Sequence, residues 1–174
     1  VSAEIYSNIG NVLKDQGKLY EAIEYYKKTI LLKPDFANAY CNMGVALVEQ
    51  GRLDDAAKAY KKALVIEPSF AEASRNLVKL PIGLVKNETI SLINNNLSSL
   101  RRNMNGESER LFFEANLLLH QGSYADAYNL FVQANEVKMK ICAPFVKASM
   151  HAYSSTAERI DKWEPAPKYT EGKK

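Results

Sequence analysis

The amino-acid sequence predicts an all-α protein, a right-handed helix-pair solenoid with a C-terminal helical cap. Three observations carry that prediction. Residues 3–36 superimpose on 37–70 without a gap. Within each copy, apolar residues recur at the spacing of one helix face. Glycine and proline punctuate both copies at the same places.

The first helix of the first copy is read from Tyr6, Ile9, Gly10 and Leu13, which fall at i, i+3, i+4 and i+7. Tyr40, Met43, Gly44 and Leu47 repeat the pattern in the second copy. Gly17 and Gly51 stop these helices. Leu19, Ala22, Ile23 and Tyr26 line the partner helix, Pro34 closes it, and Asp35 is placed to cap the next one. Gly10 and Gly44 lie inside helices, where glycine costs roughly 1 kcal/mol against alanine. That cost predicts a close approach of helices, with Ala22 and Ala56 as the small partners. A single helix pair cannot bury its own apolar face, whereas stacked pairs can.

A third copy begins in register. Ser69 and Glu72 have capping-box spacing, and Asn76 and Leu77 stand where the repeat places them. Pro81 and Gly83 then break the helix, and Ile90, Ile93, Leu97 and Leu100 predict a late replacement helix over 88–102. A divergent unit follows, in which Leu111, Ala115, Leu118, Gly122, Tyr124, Ala127, Phe131 and Ala134 keep the pattern. Glu114 replaces an apolar residue, and Met139 stands where the proline belongs. Phe112, Phe113, Leu117 and Leu119 make a second face of this helix apolar, and a helix apolar all round is buried all round. Helix 88–102 and a last helix over about 144–162 are the expected covers. The predicted organisation is two full repeats plus a third first-helix at 3–80, an irregular helix with a divergent helix pair and capping helix at 84–163, and a polar tail at 164–174.

Composition excludes several classes of function. The net charge is +3, and no Lys/Arg run exceeds two residues, so no nucleic-acid surface is expected. No apolar run approaches the roughly 18 residues of a membrane span, so no membrane partner is expected. The first residues begin a helical pattern without the basic start of a secretory signal. There is no initiator Met, as in a fragment or processed product. Cys41 and Cys142 are far apart and lack the spacing of a disulfide framework or zinc site, which points to a reduced, cytoplasmic protein. The sequons at Asn87 and Asn96 then read as chance matches.

Nothing assembles a catalytic centre. No metal-binding, nucleophile or phosphate-loop motif occurs, so no catalytic residue, cofactor or metal is expected. His120 and His151 are the only histidines, and His120 reads as a surface or hydrogen-bonded group. Asp54 and Asp55 are adjacent, so on a helix they diverge by about 100°. They suit the first turn, where the helix dipole favours acids.

A binding surface is better supported. The signature Tyr6-x2-Ile9-Gly10-x2-Leu13, Ala22-x3-Tyr26, Pro34, repeated through Tyr40, Gly44, Ala56, Tyr60 and Pro68, resembles the tetratricopeptide repeat. Asn8, Asn42 and Asn76 recur at one place in three copies, off the apolar stripe. First helices stacked at about 10 Å would make these amides a ladder. An extended peptide advances about 3.3 Å per residue, so it would meet one amide every three residues or so. Each amide can donate to a carbonyl and accept from an N–H. Inheritance through duplication, without a present role, is the competing account.

The ladder and the phrase "PDFANAYCNMGVAL" are similar to the superhelix of O-linked N-acetylglucosamine transferase, whose asparagines hold extended peptide backbone. That resemblance implies the same use of Asn8, Asn42 and Asn76. The carboxylate clamp of other tetratricopeptide proteins would need lysines where Ser7 and Glu72 stand and an arginine at Asn76. Asn11 and Asn42 fit it, and Arg75 and Lys79 are near, but most of the basic set is missing. The overall layout also resembles the N-terminal part of bacterial proteins in which such repeats precede a sulfotransferase domain. The expected function is therefore a non-enzymatic protein-interaction module. Its expected peptide groove is lined by Asn8, Asn11, Asn42, Arg75, Asn76 and Lys79. The alternative is an accessory, substrate-presenting domain of a sulfotransferase or glycosyltransferase whose catalytic domain lies outside this chain.

Overall fold

The computed structural model describes residues 2–161, with side chains described through residue 142. Among these, nine helices and no strand occur: α1 (Ala3–Asp15), α2 (Leu19–Leu32), α3 (Ala37–Glu49), α4 (Leu53–Ile66), α5 (Ala71–Val78), α6 (Asn87–Asn95), α7 (Leu97–Arg102), α8 (Glu107–His120) and α9 (Tyr124–Asp161). The fold is the expected all-α helix-pair solenoid. α1 packs on α2 and α3 on α4, while α2 meets α3 and α4 meets α5. The first compact unit is Val1–Ala134, and the second is Asn135–Lys174.

The helix ends follow from local chemistry. After α1 the chain turns at Gly17, whose φ of 75° suits a residue without a Cβ. The Lys18 N–H donates to the Leu13 carbonyl at 2.9 Å and the Gly17 N–H to Lys14 at 2.8 Å, the two bonds of a Schellman stop. Gly51 and Gly122 end α3 and α8 with the same pair of bonds. The N-termini depart from expectation. Phe36 and Phe70, not Asp35 and Ser69, occupy the N-cap positions of α3 and α5, and neither helix has a side-chain cap bond.

The interior glycines do mark a tight contact, but with different partners from those expected. A Cβ on Gly10 would stand 2.6 Å from Cε1 of Tyr26, and one on Gly44 would stand 2.5 Å from Cε1 of Tyr60. The absent side chain makes room for a buried tyrosine ring rather than for Ala22 or Ala56. Both rings are buried among the largest enclosed side chains of the core.

The middle of the chain is more regular than its sequence suggests. α2, α4 and α6 start at Leu19, Leu53 and Asn87, separated by the same interval as the first helices Ala3, Ala37 and Ala71. The third repeat thus regains its second helix on time, after a shortened α5. Position Gly44 becomes Val78 and position Tyr60 becomes Asn94, so glycine and the ring it accommodates disappear together. The expected single helix 88–102 is divided at Asn96, which lies between α6 and α7.

Ile90, Ile93, Leu100, Met104, Phe113 and Leu117 join the same core as Leu77 and Val78. Phe113 is buried as expected. Phe112 is only half-buried, with its ring tilted against Phe131 at 6.1 Å. Glu114, which interrupts the apolar stripe of α8, accepts a 2.6 Å hydrogen bond from Arg101 on α7. The separate capping helix expected at 144–162 is not separate: α9 runs on from Tyr124 to Asp161 because Met139 does not break it. Side-chain covering by that segment and the side chain of His151 lie beyond the described side chains, and the 164–174 tail lies outside the described residues.

Candidate functional site

α1, α3 and α5 adjoin in series, so Asn8, Asn42 and Asn76 occupy one register position on neighbouring helices. Asn8 is exposed, Asn42 and Asn76 are half-buried, and none enters the apolar core. Lys79 is exposed immediately after α5, at its C-cap.

Two other expected contacts are engaged within the protein. The Asn11 Oδ1 atom accepts from the Tyr26 hydroxyl at 2.9 Å and from Asn42 Nδ2 at 2.9 Å. A buried tyrosine needs a partner for its hydroxyl, and Asn11 supplies it. The same oxygen links α1 to α3 and orients the Asn42 amide. Burial, followed by the charges of Asp15 and Glu49, pushes the Tyr26 phenol above its ordinary value and keeps it a donor. Asn11 therefore positions Asn42. The signal in the sequence is the buried ring itself, whose hydroxyl had to find an acceptor.

Arg75 is half-buried and forms an ion pair with Glu109 of α8. It ties the third repeat to the fourth. Asn76 lies beside Cys41, where burial and the Glu72 charge push the thiol up to about 12 against the opposing effects of Asn76 and Arg75. Cys41 is thus a buried, protonated thiol next to the ladder, not a nucleophile.

His120 has a structural use. Its Nε2 stands 3.0 Å from the Val78 carbonyl, a C-terminal carbonyl that α5 leaves without a helical partner. Because a carbonyl accepts, Nε2 carries the proton. No group of three or more His, Cys, Asp or Glu side chains among the described residues is placed to hold a metal ion.

A separate cavity of about 430 Å³ lies between α2, α3 and α4 over Ile23, Tyr40 and Met43. Lys27, Arg52, Lys58 and Lys62 line it, but Arg52 and Lys58 both bind Asp55, at 2.7 and 3.3 Å. None of the ladder asparagines borders it.

Comparison with known proteins agrees with the repeat geometry. The family profile for the TPR repeat matches residues 10–51, and that for the tetratricopeptide repeat matches residues 37–70. No curated protein matches the chain. Among solved structures, one described as the crystal structure of MamA protein aligns with a TM-score of 0.61 at 19% identity, covering 78% of this chain and 73% of that one. A second MamA crystal structure aligns with a TM-score of 0.59 at 19% identity, covering 81% of each chain. At that identity the likeness is one of fold. The chain carries tetratricopeptide repeats, and such repeats generally mediate contacts between proteins.

Proposed function

We propose that the tetratricopeptide repeats of this chain hold an extended segment of a partner protein along the face formed by α1, α3 and α5. The observation that carries this reading is the common register of Asn8, Asn42 and Asn76 outside the core on adjoining helices. Amides at about 10 Å intervals suit a peptide backbone, whose donors and acceptors repeat regardless of side chain. The Asn11 oxygen holds the Asn42 amide at 2.9 Å, which lowers the entropy lost when that amide grips a ligand. Lys79 adds a cation at one end of the row, favouring a segment with an acidic group there. The similarity of the ladder to that of O-linked N-acetylglucosamine transferase supports a grip on backbone. The module acts as a scaffold and carries out no chemistry of its own. No feature of the described residues favours the accessory-domain alternative over this reading.

The test replaces Asn8, Asn42 and Asn76 by alanine together. Each lost neutral hydrogen bond is worth about 1 kcal/mol, so three should weaken peptide capture on the order of 100-fold while helicity by circular dichroism stays near wild type. A panel of extended peptides scanned by fluorescence anisotropy supplies the ligand. Undiminished binding by the folded triple variant would remove the ladder from the mechanism.

A further inference from the structure

Two cavities recur one repeat apart, and none of the ladder asparagines borders either of them. The larger, of about 430 Å³, lies between α2, α3 and α4. The smaller, of about 160 Å³, lies between α4, α5 and the start of α6. Lys27, Met43 and Arg52 line the first; Lys61, Leu77 and Lys86, which hold the same places in the next repeat, line the second. Lys58 borders both. They are successive sockets of one groove beside α4, recurring because the helix pair recurs. Each is enclosed by helices of two consecutive repeats, so neither is the face on which a preceding or following repeat would stack.

The floor of the first socket is apolar: Ile23 and Leu47 are buried, and Tyr40 and Met43 are half-buried. Its rim is basic. Lys27, Arg52, Lys58 and Lys62 are exposed, and Asp55 is the one carboxylate among the lining residues. Arg52 lies 2.7 Å and Lys58 3.3 Å from the Asp55 carboxylate, so two cations share one anion. Lys27 is held by Glu24 at 2.7 Å, while Lys62 makes no ion pair among the described residues. Positive charge is thus in excess above a low-dielectric floor, where it is screened less than in open water. In the second socket Thr89 replaces Asp55. Asp54, and Glu88 paired with Lys61, offset part of the charge of Lys58, Lys61 and Lys86 there.

We propose that this groove docks an acidic segment of a partner protein, which sets a bulky apolar side chain over Ile23 and Met43 and carboxylates against Lys27 and Lys62. Charge complementarity selects the acidic residues, and the apolar floor selects the side chain between them. Two sockets in series suit a polypeptide, whose side chains recur along its length, better than a single small anion. Asp55 is a placeholder: it holds Arg52 and Lys58 at the rim, where an incoming carboxylate competes for them. The groove is a second surface, independent of what the asparagine row binds.

Fluorescence anisotropy on the full chain tests it, with short labelled peptides in which a central Leu, Phe or Met is flanked by glutamates. At least one of these should bind saturably, and more weakly as salt rises, because exposed charges are screened. Replacing its glutamates by lysine, or its central residue by alanine, should abolish binding. Lys27→Glu with Lys62→Glu should weaken binding by about tenfold or more, since two attractions become repulsions. Both side chains are exposed, so that variant should keep the wild-type helicity and melting temperature. Asp55→Asn should tighten binding by releasing Arg52 and Lys58 to the ligand. The triple variant of Asn8, Asn42 and Asn76 should bind the peptide as the wild type does, which separates this groove from the asparagine row. No saturable binding across the peptides at about 1 mM, where even weak complexes form, overturns the proposal. So does binding that the charge-reversal variant retains, or that the triple asparagine variant loses. Saturable binding of dodecanoate without binding of any peptide also overturns it, and would assign the groove to a small anionic amphiphile.

Discussion

The first two repeats and the fourth helix pair solve one packing problem with different residues. In the first two, a glycine on the first helix leaves room for a buried tyrosine on the second: Gly10 for Tyr26 and Gly44 for Tyr60. In the fourth, Ala115 and Phe131 stand at those positions. Ala115 is fully buried, yet Phe131 is only half-buried and leans on Phe112. A ring that reaches less deeply tolerates a methyl group opposite it, and without a hydroxyl it needs no acceptor. The repeats with a tyrosine bind their ring more tightly, and in the first of them that ring also anchors Asn11 and so the ladder. Packing and the proposed binding face are coupled there, whereas in the fourth pair the residues serve packing and attachment through Arg101–Glu114 and Arg75–Glu109.

The largest effect should come from separating the two regions. Ending the chain after Leu80 uncovers Leu77 and Val78, which are buried with Ile90, Leu100 and Phe113 in one core. Each fully buried side chain of this size is worth about 1.5–3 kcal/mol. The truncated chain should therefore bind a hydrophobic dye and aggregate. A monomeric piece that melts at the temperature of the full chain would show the two regions to be independent.

A reciprocal exchange at the glycine position tests the difference in ring depth. Gly44→Ala should destabilise by about 1–3 kcal/mol through overpacking against Tyr60, despite the better helix propensity of alanine. Ala115→Gly should cost only about 1 kcal/mol, the ordinary propensity penalty. Chemical denaturation of both variants measures the contrast. Equal costs, or a stabilised Gly44→Ala protein, would break the comparison at its root.

The smallest effect concerns the hydroxyl. Tyr26→Phe keeps the ring and removes its bond to Asn11, which should cost about 1 kcal/mol of stability. Asn11 still accepts from Asn42, so peptide capture should weaken by no more than a few-fold. Binding lost as severely as in the triple asparagine variant would mean that the ring, rather than the ladder, positions the peptide.

Local pattern made the first half of the molecule legible. Helix pairing, the stops at Gly17 and Gly51, and the shared phase of Asn8, Asn42 and Asn76 depend on residues a few positions apart, so a period and a wheel suffice to find them. The third and fourth units were harder because their register survives while their marker residues do not. Asn87 begins a second helix on time, but Pro81 and Gly83 suggested a break in the period. The capping box at Ser69 has the right spacing, yet the chain enters α5 through Phe70 instead, without a side-chain cap bond.

The amino-acid order by itself determined the repeat, its period and the places where helices stop, because helix propensity, glycine at positive φ and apolar spacing act within one or two turns. Only packing between helices decided which groups those elements spend on one another. Gly10 faces Tyr26 rather than Ala22, Asn11 holds Tyr26 and Asn42, Arg75 pairs with Glu109, and His120 takes up the carbonyl of Val78. Those partners lie between 15 and 42 residues apart in the chain for the hydrogen bonds involved. Their meeting depends on the rotation and depth of whole helices, set by the joint need to bury apolar surface and leave no polar group unmatched.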